Sequence, residues 1–217
     1  GTYTYYVTDS VGGCTASPAD TSVLIINDAA TANAGADTTI CEGSAYTLSG
    51  AIGGGAILFG WTTSGTGSFD DDSILAATYT PSAPDISAGT VTLTITTNDP
   101  DGGGPCLLVF DTLALTINPA AIVGAGVDST ICGDVPYLLQ GIKSGGAATT
   151  TWTTSGTGAF NNASLLAATY TASATDITAG SVKLTILSND PVGPCNAAID
   201  SMILTLNAPA TVSADAD

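Results

Sequence analysis

The sequence predicts an all-β protein whose sandwich domains follow one another in a linear array. β-branched residues occur in short blocks separated by Gly, Asn, Asp and Pro, which is typical of strands joined by tight turns. A unit of about 90 residues occurs twice, as internal repeats do in array proteins. Only 10% of residues are charged, and 26 glycines supply the turns that such a fold needs.

The internal repeat sets the predicted domain organisation. The segment WTTSGTG that begins at Trp61 returns at Trp152. Residues 61–100 and 152–191 are identical at 28 of 40 positions. Ala34-Gly-Ala-Asp37 opens the first unit, and Ala125-Gly-Val-Asp128 opens the second. We predict the C-terminal strands of a preceding domain at 1–28, a first repeat at 29–118, a second repeat at 119–208 and the start of a further repeat at 209–217.

Seven short strands in each repeat favour an immunoglobulin-like sandwich. In the first repeat we predict strands at 38–41, 46–48, 57–63, 68–69, 76–80, 90–97 and 107–117. Apolar residues alternate strictly with threonine in 90–97, which predicts that Val91, Leu93 and Ile95 face the core. Trp61 and Trp152 could stack on a ligand, but a tryptophan on the third strand of such a sandwich normally packs in the core, and we expect that here.

The charge balance excludes most kinds of chemistry. The net charge is −17, the chain has no His or Arg, and Lys143 and Lys183 are its only basic side chains. A Ser-His-Asp triad, a His-ligated metal site and an arginine phosphate clamp are therefore excluded. Nucleic acid would be repelled, and no apolar run is long enough to insert this segment into a membrane. The acidic cluster at 70–72 shows no partner group for glycosidase chemistry, so we predict a protein that is not an enzyme.

The cysteines predict disulfides and an oxidising, extracellular location. Each repeat holds one pair at nearly equal spacing, which predicts Cys41–Cys106 and Cys132–Cys195. Cys14 would then pair with a residue outside the chain. The alternative is that these cysteines are reduced and structural, whereas zinc is disfavoured because no CxxC spacing occurs.

Acidic loops raise the question of calcium. The weak candidates are Asp99, Asp101 and Asp190, which lie in or beside two Asn-Asp-Pro turns. The spacing does not match an EF-hand, and the second repeat lacks an equivalent of Asp101. We therefore predict no cofactor, with structural calcium as the alternative to ordinary turn carboxylates.

Several segments resemble the tandem Ig-like repeats of giant surface proteins of Bacteroidota, including gliding-motility adhesins. The segments are ANAGADTTIC ending at Cys41, WTTSGTGSF from Trp61, ATYTPS from Ala77, DISAGTVTLT from Asp85 and GPC ending at Cys106. The start of the chain is similar to the end of the PKD-like or Ig-like domains of those proteins. The resemblance covers nearly the whole chain and implies export by the type IX secretion system, a long stalk on the cell surface, and adhesion by the array or by other domains.

The resemblance also implies O-glycosylation at Asp-(Ser/Thr) followed by an aliphatic residue, Met or Thr. The better candidates are Thr38, Thr112, Ser129 and Ser201, because these sites recur in register between the repeats, and Ser10 and Ser73 also match. The alternative is that triplets of this kind arise by chance in a chain so rich in Ser and Thr.

The function we expect is that of a structural stalk segment in a long secreted adhesin or filament, which holds a binding tip away from the cell. Its partners would be neighbouring repeats of the same chain, with a surface or polysaccharide ligand at the distal tip. Alternatively, the repeats themselves bind polysaccharide or another surface ligand, or self-assemble into an extracellular filament. The acidic surface would keep neighbouring stalks apart by repulsion.

Overall fold

The computed structural model describes residues 2–7 and 20–210. It divides the chain into two compact units. The first consists of residues 1–38, 45–84 and 91–115, and the second of residues 39–44, 85–90 and 116–217. Most of the second unit is therefore the second repeat, together with three short segments of the first, at 39–44, 85–90 and 116–118.

A pair of antiparallel strands precedes the first repeat. Strand β1 is Thr2–Val7 and β2 is Asp20–Ile25, and they pair antiparallel with Thr2 opposite Ile25.

The first repeat is built from nine strands and one short helix. They are β3 (Thr31–Asn33), β4 (Thr38–Cys41), β5 (Tyr46–Thr47), β6 (Ala51–Gly53), β7 (Phe59–Thr63), β8 (Ser68–Phe69), β9 (Thr78–Thr80), α1 (Ala83–Ala88), β10 (Thr90–Thr97) and β11 (Phe110–Asn118).

The second repeat has the same elements in the same order. They are β12 (Ala121–Gly124), β13 (Ser129–Cys132), β14 (Tyr137–Leu138), β15 (Ile142–Gly145), β16 (Thr150–Thr154), β17 (Ala159–Phe160), β18 (Thr169–Thr171), α2 (Ala174–Ala179), β19 (Ser181–Ser188) and β20 (Ile199–Asn207).

Each repeat arranges its strands in the same three sheets. The four-stranded sheets have the orders β4-β11-β10-β7 and β13-β20-β19-β16. Three-stranded sheets β5-β9-β8 and β14-β18-β17 and two-stranded sheets β3-β6 and β12-β15 complete the repeats. In the second repeat β13 runs parallel to β20, whereas β16 and β19 pair antiparallel. The predicted class, an all-β chain of immunoglobulin-like sandwiches, is confirmed.

The core follows the predicted alternation. Leu93 and Ile95 are fully buried and Val91 is 4% exposed, while the threonines between them lie outside the core. Trp61 and Trp152 are each 2% exposed, so the prediction that they pack in the core is confirmed. Their indole Nε1 groups donate to the carbonyls of Ile74 and Leu165, both at 3.1 Å, which satisfies the polar edge of each ring.

The observed elements differ from the predicted strands in four ways. Strands β7 and β9 each begin two residues later than predicted, at Phe59 and Thr78, and β5 ends one residue earlier, at Thr47. The short strands β3 and β6 were not predicted, because three residues are too few to show a period of two. The last strand of the first repeat begins at Phe110, not at residue 107, since Leu107 and Leu108 precede the ladder and are 71% and 51% exposed. The helices were also not predicted.

Local capping explains the helix in the second repeat. The Ser173 side chain accepts from the backbone N–H of Asp176, and the Asp176 side chain accepts from the backbone N–H of Ser173, so the two form a capping box. Gly180 ends the helix at φ 78°, a left-handed conformation that favours glycine. These two signals define a single turn and a half of helix between two strands.

Candidate functional site

A disulfide in the second compact unit joins Cys41 to Cys195, with a Cα–Cα distance of 5.0 Å. Among the described cysteines, Cys106 and Cys132 are free thiols, the first half-buried and the second exposed. The predicted pairs Cys41–Cys106 and Cys132–Cys195 are therefore wrong in this structure. The observed bond connects a cysteine of the first repeat with a cysteine of the second. Cys14, which we expected to pair outside the chain, lies outside the described residues.

The strand ends explain this pairing. Asn118 is the last residue of β11, and its carbonyl accepts the backbone N–H of Glu42 at 2.8 Å, directly after Cys41. The same carbonyl lies 3.5 Å from the Sγ of Cys195. Both sulfurs of the bond therefore lie at the end of β11. Cys106 lies in the loop between β10 and β11, with its Sγ 3.6 Å from the carbonyl of Asn27, which follows β2.

The free thiol of Cys106 is surrounded by acidic groups. Burial raises its pKa above the usual 9.0, and the negative charge of Asp101 raises it further. Asp101 Oδ2 accepts the backbone N–H of Cys106 at 3.0 Å, so the carboxylate lies beside the thiol. The consequence is a smaller thiolate fraction at neutral pH than an unperturbed cysteine would have.

The calcium candidates of the first repeat are used to shape their own loop. Asp99 Oδ1 accepts the backbone N–H groups of Asp101 and Gly102, both at 3.1 Å. Asp101 accepts from Gly104 and Cys106, and the bond from Cys106 is the main reason why the pKa of Asp101 is lowered. Asp190 of the second repeat is exposed. No cluster of three or more His, Cys, Asp or Glu residues suited to a metal ion occurs in the part of the chain that the structure describes.

The neighbouring asparagines hold the same turns. Asn98 Oδ1 accepts from Ile57 and Leu58 at 2.9 and 2.8 Å. Asn189 Oδ1 accepts from the equivalent residues of the second repeat, Ala148 and Thr149, both at 2.8 Å. The Asn-Asp-Pro motif therefore connects two strand ends in each repeat.

The acidic cluster at 70–72 forms a turn. Asp70 Oδ1 accepts the backbone N–H groups of Asp71 and Thr78 at 2.8 and 2.7 Å. Asn161 Oδ1 accepts the equivalent pair in the second repeat, from Asn162 and Thr169, at 2.7 and 2.8 Å. Because a neutral amide oxygen serves as well as a carboxylate, the turn needs an acceptor and not a charge.

The four recurrent aspartates of the proposed glycosylation triplets also have structural partners. Asp37 and Asp128 accept the backbone N–H groups of Ala114 and Ile203, each at 2.8 Å. Asp111 and Asp200 accept those of Ala34 and Ala125, again at 2.8 Å. Each pair of bonds ties the start of a repeat to its last strand. The recurrence of these aspartates in register therefore has a structural explanation.

The candidate hydroxyls differ in exposure. Thr112 and Ser73 are exposed, whereas Thr38, Ser129 and Ser201 are half-buried. The hydroxyl of Ser73 also donates to Asp71 Oδ1 at 2.6 Å. Ser10 lies outside the described residues.

A buried carboxylate was missed by the sequence analysis. Asp176 is 2% exposed. Its Oδ2 accepts the hydroxyl of Tyr170 at 2.8 Å and the backbone N–H of Gly158 at 2.8 Å, and its Oδ1 accepts the N–H of Thr157 at 2.8 Å. Thr154 Oγ1 extends the network by donating to the Tyr170 hydroxyl at 3.1 Å.

The hydrogen bonds keep Asp176 ionised despite its burial. Burial acts to raise its pKa, but the donors that surround both oxygens outweigh that effect and lower the pKa from 3.8 to about 2. Asp85, at the matching place in the first repeat, is also 2% exposed. The signal that could have revealed both is the recurrent Ser-x-x-Asp ahead of Gly, which is a helix-capping pattern.

Within the described residues, no helix is long and apolar enough to cross a membrane. No buried side-chain nitrogen or oxygen in that part of the chain lacks a hydrogen-bond partner.

No family model matches this sequence, and no curated protein matches it either. Solved structures with a similar fold include human CDH23 EC21-23, at 16% identity and a TM-score of 0.49, covering 93% of this chain and 74% of that one. Drosophila N-cadherin EC1-4 is 12% identical with a TM-score of 0.44, and the match covers 95% of this chain but only 57% of that one. DIP-gamma IG1+IG2 is 13% identical with a TM-score of 0.42, covering 82% and 98%. Each is a likeness of fold.

Proposed function

We propose that this chain is a non-catalytic structural segment of a long secreted surface protein, which holds a binding tip away from the cell. The observation that carries the proposal is the disulfide between Cys41 and Cys195. The bond closes a loop with a sequence separation of 154 residues, and this loop contains most of both repeats. Such a bond suits a segment that must keep its length under tension.

The mechanical consequence follows from chain geometry. When the ends of the chain are pulled apart, the disulfide transmits the force from Cys41 to Cys195, and the residues between them cannot extend. A separation of 154 residues corresponds to roughly 540 Å of extended chain at about 3.5 Å per residue. The bond thus limits how far the segment lengthens even if its domains unfold.

The remaining polar groups support a structural role. The described aspartates Asp37, Asp111, Asp128 and Asp200 bind backbone N–H groups and hold strands together. The net charge of −17 opposes lateral association of neighbouring copies. A disulfide suits an oxidising compartment, which supports the extracellular surface as the location.

The finer assignments belong to the same proposal. The domains are residues 29–118 and 119–208, flanked by parts of neighbouring domains, and neighbouring repeats of the chain are the main partners. The protein is of the gliding-motility adhesin type of Bacteroidota, exported by the type IX system, with a surface or polysaccharide ligand at its tip. Thr112 is the most accessible of the recurrent glycosylation candidates. An intact mass equal to the bare 21.2 kDa would exclude glycans on this segment.

Electron microscopy of the native material, on cells and shed from them, tests the function. We expect single threads of beads spaced about 40 Å apart, the size of Ig-like domains. A thick helical polymer would show that the repeats assemble laterally, and an isolated compact particle would show that there is no stalk. Either result would contradict the proposal.

Ligand binding by the repeats is the alternative, and thermal unfolding tests it. The melting temperature of the 217-residue chain would be measured with and without candidate polysaccharides. A ligand that binds the repeats raises the melting temperature as its concentration rises. The stalk proposal expects no shift, because it places recognition at the tip.

A further inference from the structure

Among the described cysteines, the two free thiols occupy positions in the repeat equivalent to those of the two bonded ones. Cys132 corresponds to Cys41 in the repeat alignment, because each ends the sequence Thr-Ile-Cys in β13 and β4. Cys106 corresponds to Cys195, because each ends Gly-Pro-Cys before the last strand. The bonded pair therefore consists of one Thr-Ile-Cys cysteine and one Gly-Pro-Cys cysteine. Cys132 and Cys106 are the corresponding free pair.

The surroundings of Cys106 repeat those of Cys195 closely. The Sγ of Cys195 lies 3.5 Å from the carbonyl of Asn118, and the Sγ of Cys106 lies 3.6 Å from the carbonyl of Asn27. Each asparagine comes shortly before the repeat in which that cysteine lies.

Two glycines repeat the same entry geometry. A Cβ at Gly54 would clash with the carbonyl oxygen of Ala29, and a Cβ at Gly145 would clash with that of Ala120. In both repeats the incoming chain therefore passes directly against the backbone at this glycine. This contact is independent of the cysteines, and it shows that the chain enters the first repeat as it enters the second.

The surroundings of Cys132 repeat those of Cys41. The residue after Cys41, Glu42, donates its N–H to the carbonyl of Asn118 at 2.8 Å. The residue after Cys132, Gly133, donates its N–H to the carbonyl of Asn207 at 2.9 Å. Cys132 is thus held beside the last residue of β20, as Cys41 is held beside the last residue of β11, and its thiol is exposed.

We propose that Cys132 and Cys106 are the two halves of the bond seen between Cys41 and Cys195, each completed by the complementary cysteine of an adjacent repeat. The partner of Cys132 is the Gly-Pro-Cys cysteine of a following repeat. The partner of Cys106 is the cysteine at the end of the early strand in a preceding domain. The inference rests on the proposed function only in assuming that more repeats of this kind adjoin the chain.

Bond formation needs a disulfide-carrying oxidant, such as glutathione disulfide or an oxidoreductase disulfide. One cysteine thiolate attacks the oxidant, forms a mixed disulfide and releases one oxidant thiolate. The thiolate of the second cysteine then displaces the other oxidant sulfur. The two cysteine thiols together lose two electrons and two protons, and the disulfide of the oxidant gains them and leaves as two thiols.

The resulting loops would overlap. Cys132 lies in the chain between Cys41 and Cys195, so a bond from Cys132 to the next repeat begins inside the loop that already exists. Each repeat would then be enclosed by two disulfide loops in turn. In an array of separate intrarepeat disulfides, by contrast, every junction between repeats would remain free to extend.

A chain extended by one repeat tests the proposal. Asp217 corresponds to Asp128, so a copy of residues 129–208 is added directly after Asp217 to continue the repeat in register. The 217-residue chain and the extended chain are oxidised with glutathione disulfide and labelled with iodoacetamide without reduction. They are then digested for mass spectrometry.

We expect labelling of Cys132 to fall at least tenfold in the extended chain, with a new peptide linking Cys132 to the added copy of Cys195. Cys106 should stay labelled in both chains, and retention of the Cys41–Cys195 link would show that the fold is intact. In the extended Cys132→Ser variant, the added copy of Cys195 should become labelled.

Three outcomes would overturn the proposal. They are undiminished labelling of Cys132 in the extended chain, a link from Cys132 to Cys195, and a link from Cys106 to Cys41. Failure here would leave the stalk itself open to the electron microscopy test, since a thread of beads does not require the bonds between repeats.

Discussion

At one turn the two repeats have equivalent side-chain oxygen acceptors, but the acceptor is charged in the first repeat and neutral in the second. Asp70 and Asp71 of the first repeat become Asn161 and Asn162 in the second, and Asp70 and Asn161 accept equivalent backbone N–H groups. By contrast, the buried position keeps its aspartate in both repeats, as Asp85 and Asp176, each 2% exposed. An exposed turn needs an acceptor only, because water can supply further partners. A buried site with donors on both sides needs a side chain whose two terminal atoms both accept hydrogen bonds, and a carboxylate provides this whereas an amide does not.

The cysteines provide a second contrast between the repeats. Cys41 and Cys132 end corresponding strands, yet one is in a disulfide and the other is a free thiol. The two cysteines thus have the same place in their repeats, and Cys41 is bonded to a cysteine of the other repeat, Cys195. Serine substitutions at Cys41 and at Cys132 compare the contribution of a bonded cysteine with that of a free one.

The largest effect is expected from Cys41→Ser. The substitution opens a loop with a sequence separation of 154 residues, and the chain-entropy model assigns such a loop about 5 kcal/mol of stability. Cys132→Ser is the matched control and should leave the unfolding midpoint unchanged, because that thiol is free. Urea denaturation followed by tryptophan fluorescence measures both. Equal midpoints for the two variants would show that the disulfide does not stabilise the fold.

The second largest effect is expected from Asp176→Asn. The amide would direct an NH₂ group toward N–H and O–H donors that now bind a carboxylate oxygen, including Tyr170 and Gly158. Leaving these buried donors unsatisfied should cost about 2–4 kcal/mol. Asn161→Asp is the control, since the first repeat has aspartate at that turn. If Asp176→Asn unfolded at the same urea concentration as the parent, the network would have no stabilising role.

Acid unfolding should distinguish the parent protein from the Asp176→Asn variant. Because the pKa of Asp176 is lowered to about 2 in the folded state, its contribution is complete above a pH of about 4 and is lost as pH falls toward about 2. The free energy of unfolding of the parent should therefore fall more steeply over this range than that of Asp176→Asn. Urea titrations at several pH values between 5 and 2 test this. Parallel curves for the two proteins would contradict it.

The smallest effect is expected at Cys106. Burial and the negative charge of Asp101 raise the pKa of this thiol, so Asp101→Asn should lower that pKa and speed alkylation several-fold at pH 8. The amide oxygen can still accept the backbone N–H of Gly104, which preserves the loop. The alkylation rate of Cys132 in the same protein is the internal control. An unchanged rate at Cys106 would show that Asp101 does not govern its reactivity.

Local patterns predicted much of the fold. The alternation in 90–97 predicted which residues of β10 are buried, and the position of Trp61 on the third predicted strand placed it in the core. The short strand β3 and helix α2 escaped prediction because they depend on two or three residues each. Capping by Ser173 and Asp176 is visible in the sequence, but without the structure it competes with a turn.

The functional groups were harder to predict than the fold. Asp99 and Asp101 were weak calcium candidates, but their loop turns their oxygens toward its own backbone N–H groups. Asp176 was overlooked because its burial depends on Tyr170 and Gly158, which lie on other segments. A sequence shows which residues have oxygens, and only the packed chain shows which donors those oxygens meet.

The sequence by itself determined the repeat, its phase, the strands of its core and the equivalence of Cys41 with Cys132 and of Cys106 with Cys195. These follow from periodicity and self-similarity, which the order of residues shows without any folded contact. The tertiary structure alone decided the pairing. Intervals of 65 and 63 residues within the repeats suggested closed pairs, but a disulfide needs Cα atoms within about 7 Å. The end of β11 brings Cys41 and Cys195 to 5.0 Å.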